Sequence, residues 1–165
     1  MTLLLRRMSS AWAMVGGILV LLIVLVTAVN VSAFIANRIT APFGVFVPAL
    51  PGYEDFVRLA VSVAALAFIP FCQYRRGHVA VDLFVQHFPP MLRGALDRLW
   101  LLGTAAVAIF LGYWLTIGMI ETRADDARTA VLGWSEWPWY APGIVSMGLW
   151  ALVSVVQAFE GKVDG

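Results

Sequence analysis

The residues able to do chemistry gather in one stretch near the middle of the chain, Gln73-Tyr74-Arg75-Arg76-Gly77-His78-Val79-Ala80-Val81-Asp82-Leu83-Phe84. His78, Asp82 and Gln86 recur at i, i+4 and i+8, which draws one polar line along a helix. Val79, Val81, Leu83, Phe84, Val85 and Phe88 fill the other directions, so a helix over about 79–88 is amphipathic and suited to a membrane surface. A metal held by His78 and Asp82 lacks further ligands. Asp82 can instead fix the His78 ring, and both can meet the Arg75–Arg76 cluster. The histidines His78 and His87 invite a haem reading, but axial ligands for a buried haem come from facing helices, and these two share one surface stretch. Glu54 and Arg58, spaced i, i+4 in the favoured order, form a boundary ion pair near a helix start. Their functional reading is a site near the mouth of a pathway. No acid, base or histidine falls at the middle of a hydrophobic segment, where a transporter that works alone usually carries one. No Ser/His/Asp set, phosphate-cradling glycine loop or nucleophile elbow is present, so no catalytic residue is assigned and the chain does not read as an enzyme.

The elements that position these residues follow from composition. Of 165 residues, 61% are hydrophobic and 13% charged. Soluble domains are about 45–50% apolar and about 25% charged. The fold class is therefore an all-α integral membrane protein, one membrane domain over 1–165. A net charge of +1 offers no basic field for nucleic acid. Cys72 is the only cysteine, which excludes an intramolecular disulfide and a multi-cysteine metal site. No cofactor is expected.

Four hydrophobic segments predict four membrane helices, at about 10–36, 53–73, 99–120 and 141–159, with the amphipathic surface helix between the second and third. Met8 to Asn37 carries no charge. As a helix it is about 45 Å long against a hydrocarbon core of about 30 Å, so it tilts or projects. Trp12 sits where an interfacial anchor is expected. A cleaved signal peptide ending at Val31-Ser32-Ala33 is the rival reading, but the apolar run exceeds the usual length of about 7–15 residues. Asn37 to Gly52 is a loop punctuated by prolines and glycines, apolar enough to lie on the membrane or a partner. Ala60 and Ala64 form a small-residue pair in the second helix, and Pro70 bends its last turn or ends it. Pro89-Pro90 stops the surface helix. In the third helix Thr104, Ala108, Gly112 and Thr116 form a stripe of small residues for helix packing. Trp134, Trp137, Trp139 and Tyr140 form an aromatic belt before the fourth helix.

Four helices place both termini on one side. The tails and central loop hold Arg6, Arg7, Arg75, Arg76, Arg93, Arg98 and Lys162, against Arg38, Arg123 and Arg128 in the other two loops. That imbalance predicts cytoplasmic termini and a cytoplasmic surface helix.

The segment Arg75-Arg76-Gly77-His78-Val79-Ala80-Val81-Asp82 resembles the basic-Gly-His-Val/Ile-x-Val-Asp motif of the small membrane subunit (DctQ type) of tripartite ATP-independent periplasmic, or TRAP, transporters. Thr129-Ala130-Val131-Leu132-Gly133, then Trp137, Tyr140, Pro142 and Gly143, resembles the family's small-residue, Trp, Pro-Gly run. Length and helix number agree along nearly the whole chain, while Asp125-Asp126 and the dense tryptophans depart from the pattern. The resemblance implies a bacterial or archaeal inner-membrane protein with two protein partners. One is a large DctM-type permease subunit that binds substrate and sodium and moves by an elevator motion. The other is a periplasmic DctP-type binding protein that delivers an organic anion such as a carboxylate. The small subunit would hold no substrate and would extend the immobile scaffold. Arg75, Arg76, Gly77, His78, Val81 and Asp82 would then shape the cytoplasmic turn, with Arg75, Arg76 and His78 within reach of lipid phosphates. Arg38, Arg123, Asp125, Asp126 and Arg128 are the candidate contacts with the binding protein. The other classes are a membrane anchor of a respiratory oxidoreductase and a small self-assembling exporter relying on Glu54.

Overall fold

A computed structural model describes residues 2–75 and 90–160. The described chain is all-helical apart from one isolated bridge, Arg128 with Ser135. Among the described residues, four helices are long and apolar enough to cross a membrane. Helix α1 spans Thr2–Thr40, α2 Tyr53–Tyr74, α3 Pro90–Ala124 and α4 Tyr140–Glu160. The proposed surface helix at about 79–88, with Arg76, Gly77, His78, Val81, Asp82 and His87, lies outside the described residues.

The first and third helices are longer than hydropathy alone predicts. At 39 residues, α1 reaches about 58 Å. It starts before residue 10 because its first turns are packed, with Leu5 and Ser9 buried. It ends beyond residue 36 because its far end is braced by the chain that follows. Gly44 takes a left-handed conformation, φ 76°, and turns the chain back. Asn30 and Asn37, two helical turns apart on one face, then accept hydrogen bonds from the Leu50 and Val47 amides at 3.0 and 3.2 Å. The Thr40 hydroxyl donates to the Val45 carbonyl at 2.8 Å. Residues 45–50 thus run back along α1, and side-chain amides satisfy a segment that has no ladder of its own. Helix α3 begins at Pro90, where a missing N–H costs nothing, and continues through Asp97 and Arg98.

The helices stand in a row in the order α1, α2, α4, α3. Contacts are extensive between α1 and α2, α2 and α4, and α3 and α4, and slight between α1 and α4. Small residues line each seam. Gly16 lies so close to α2 that a Cβ there would stand 3.0 Å from the Ala67 Cβ and 3.2 Å from the Ala64 carbonyl oxygen. Ala60, Ala64 and Ala67 are all buried. At Gly143 a Cβ would meet Leu66 of α2 at 2.9 Å and Leu115 of α3 at 3.5 Å. Of the predicted stripe on α3, Ala108 is fully buried and Gly112 abuts Met147 of α4. Thr104 and Thr116 are half-buried, and their hydroxyls return to the Trp100 and Gly112 carbonyls of their own helix at 2.9 and 2.8 Å. In a bilayer such close approach supplies the dispersion contacts that hold helices together without a hydrophobic driving force.

Trp12 has an internal role rather than that of a free interfacial anchor. Its indole N–H donates to the Ser146 hydroxyl of α4 at 2.8 Å, and that hydroxyl donates onward to the Pro142 carbonyl at 2.9 Å. Pro70 is buried inside α2, and the helix continues past it to Tyr74.

Candidate functional site

Polar side chains concentrate at the two ends of the row. At the end holding the α1–α2 and α3–α4 connections, Asp55 organises the joint. It sits in the first turn of α2 and is 8% exposed. One carboxylate oxygen accepts from the Val131 and Leu132 amides at 2.8 and 2.9 Å. These charge-assisted bonds hold the α3–α4 loop against α2. The loop is shaped to offer the two amides. Ala127 and Thr129 pair with Glu136 and Trp134 through backbone bonds of 3.0 and 2.9 Å, and the Thr129 hydroxyl accepts from the Trp134 amide at 3.0 Å. Gly133 closes the turn with φ 64°. Gly52, with φ 75°, leaves room for Leu132, which would stand 2.5 Å from a Cβ there.

Arg58 pairs with Glu136 of the α3–α4 loop, not with Glu54. The expected boundary pair is therefore corrected: Glu54 is exposed, while Glu136 is brought to Arg58 by the clamp at Asp55. Arg58 remains 61% exposed and Glu136 24%. The other candidate contacts sort by partner. Arg123 lies over the Trp137 ring, 4.9 Å from its centroid, a cation–π arrangement. Arg128 grips Asp126 with two hydrogen bonds of 3.1 Å, and the bonds and charge of that carboxylate raise its pKa above the ordinary arginine value. Asp126 is held at φ 46°. Arg38 and Asp125 are exposed. Trp134 and Trp139 stack with centroids 6.2 Å apart and planes 8° apart, which stiffens the loop's approach to α4.

Below the Arg58–Glu136 pair lies a cavity of about 290 Å³ between α2, α3 and α4. Leu59, Leu66, Leu115 and Gly143 line its apolar part; Arg58, Ser62, Glu136, Trp139 and Tyr140 line its polar part.

At the opposite end, two amides join α2 to α4. The Gln73 side-chain amide donates to the Gln157 side-chain oxygen at 3.1 Å. The Gln157 amide donates to the Gln73 and Tyr74 carbonyls at 3.2 and 3.1 Å. The Trp150 indole donates to the Gln73 side-chain oxygen at 3.3 Å. Gln157 thereby caps carbonyls that the end of α2 leaves without helical donors, which lets α2 run its last turn beyond Pro70. The Arg75 guanidinium lies 5.8 Å from the Phe71 ring centroid.

Sequence reading passed over Asp55, Gln157 and Asn30, and gave Gln73 and Asn37 no role in joining the helices. A signal existed for some of them: an acidic residue in a helix's first turn, and lone amides at the ends of apolar segments. Among the described residues no group of three or more histidine, cysteine, aspartate or glutamate side chains could hold a metal ion. The geometry holds helices in fixed register and presents a braced loop.

Residues 43–162 match the family model described as tripartite ATP-independent periplasmic transporters, DctQ component. No curated protein and no solved structure matches the chain.

Proposed function

The chain belongs to the DctQ family of TRAP transporter components, and from that premise we propose that it is the fixed scaffold against which a large DctM-type permease subunit moves. The observation that carries this reading is the row α1–α2–α4–α3, fastened along its seams by small residues and at both ends by polar joints. A row is broader than a bundle of the same four helices. Breadth resists the bilayer deformation that accompanies an elevator motion. On this reading the chain is one membrane domain of the inner membrane with both termini cytoplasmic. Substrate, an organic anion such as a carboxylate, and the coupling sodium ions bind the large subunit.

The decisive experiment is gentle purification of a tagged copy from native membranes, with mass spectrometry of what accompanies it. The expected result is a large multi-helix permease at equal stoichiometry. Recovery of flavin or iron–sulfur subunits would replace this reading with a respiratory anchor. Recovery of the chain alone as a homo-oligomer would overturn it.

The same reading places the α3–α4 loop outward, as part of the docking surface for a DctP-type binding protein. The clamp at Asp55 and the Trp134–Trp139 stack support this, because a preorganised loop loses less entropy on docking. Charge reversal of Arg123 and Arg128 together is expected to weaken uptake at low binding-protein concentration about tenfold, the size of a change of about 1.4 kcal/mol. Unchanged uptake, with the complex intact, would remove the loop from the docking surface.

A further inference from the structure

We propose that the cavity between α2, α3 and α4 receives the headgroup and the upper part of one acyl chain of a phospholipid whose headgroup carries a phosphodiester and a primary ammonium, a phosphoethanolamine lipid. The cavity is elongated and amphiphilic. Its lining on α2 runs from Arg58 and Leu59 through Ser62 to Leu66. Eight residues of helix separate its ends, about 12 Å along the axis. That axis crosses the bilayer, so the apolar part formed by Leu59, Leu66, Leu115 and Gly143 lies where an acyl chain lies. A soluble ion has no use for such a wall; a lipid tail does.

The polar end selects the headgroup. Arg58 gives one nitrogen, Nη2, to Glu136. A guanidinium has five N–H donors, and this one is 61% exposed, so donors remain for a second acceptor. Trp139 and Tyr140 line the same cavity, and neither side chain has a hydrogen-bond partner among the described residues. Three kinds of donor at the polar end suit phosphate oxygens. Aromatic rings beside a basic residue also suit headgroup depth. Glu136 adds the discrimination. Its charge cancels that of Arg58, so the polar end is neutral overall and does not favour a net anionic lipid. Its carboxylate can accept a hydrogen bond from a primary ammonium, whereas a quaternary ammonium has no N–H to donate. A head-to-tail arrangement of phosphate on Arg58 and ammonium on Glu136 matches both charges of the ligand.

Native mass spectrometry of the purified full-length chain decides the matter. The chain is titrated with phosphatidylethanolamine, phosphatidylcholine and phosphatidylglycerol of identical acyl chains. The expected result is one phosphatidylethanolamine retained about tenfold more tightly than either other lipid. Equal retention of the three overturns the proposal, as does preference for phosphatidylglycerol, which would mean that Arg58 acts as a lone cation. Displacement of bound lipid by millimolar succinate also overturns it, since the site would then take soluble carboxylates. In the charge-swapped double variant Arg58→Glu with Glu136→Arg, an ion pair persists and the thermal midpoint is expected to hold, while the preference is lost. A folded swap that keeps the preference overturns the assignment of phosphate to Arg58. Tyr140→Phe, which leaves the ion pair untouched, is expected to weaken phosphatidylethanolamine and phosphatidylcholine alike about threefold, because it removes a phosphate donor common to both; no change in either overturns the donor role given to Tyr140.

Discussion

Replacing Asp55 by alanine is expected to lower stability by about 3 kcal/mol, because two backbone amides lose a carboxylate at once. A hydrogen bond to a charged group contributes about 1.5–3 kcal/mol, and the Val131 and Leu132 amides each make one. Two such bonds sum to about 3–6 kcal/mol, and partial rehydration of the freed loop brings the loss to the lower end of that sum. For a chain of this size the corresponding fall in thermal midpoint is about 6–12 °C, measured in detergent by tryptophan fluorescence. Asp55→Asn keeps an acceptor oxygen and loses the charge, so its midpoint falls between those of wild type and the alanine variant. Glu54→Ala is the control: it removes an exposed neighbouring carboxylate and leaves the midpoint unchanged. The clamp also carries Glu136 to Arg58, so the alanine variant separates that pair. If Asp55→Ala melts with wild type, the loop is held by its own backbone bonds and the clamp has no energetic role.

Leucine at Gly16 is expected to separate α1 from α2. The atoms it would meet are an alanine Cβ at 3.0 Å and a backbone carbonyl oxygen at 3.2 Å, neither of which can rotate away. Overpacking of this kind costs about 1–3 kcal/mol where neighbours can shift, and here the shift must be made by a whole helix. The loss extends to the seam formed by Ala60, Ala64 and Ala67. Gly17→Leu is the matched control, since a Cβ there meets nothing within 4 Å. The expected outcome is a fall in thermal midpoint of at least about 6 °C for Gly16→Leu and none for Gly17→Leu, together with loss of the proposed large-subunit partner on purification of the first variant only. Equal behaviour of the two variants would mean that the α1–α2 seam does not depend on close approach.

Hydropathy run length by itself determined four membrane helices, because a bilayer of about 30 Å demands about twenty apolar residues from any helix that crosses it. That signal is local, so the number of such helices was legible in the sequence. So was the family resemblance, carried by contiguous runs of residues. Tertiary structure alone decided which partner each polar side chain takes. Arg58 stands one turn after Glu54 and is bound to Glu136, 78 residues on; Asp55 serves amides 76 and 77 residues away. Local spacing describes neighbours along one helix, while partners across a bundle depend on how the helices are rotated and which seams close. The same reason hid the ends of α1, where Asn30, Asn37 and a packed first turn extend the helix past its hydropathy limits. It also hid the order α1–α2–α4–α3, which follows from which small-residue faces meet.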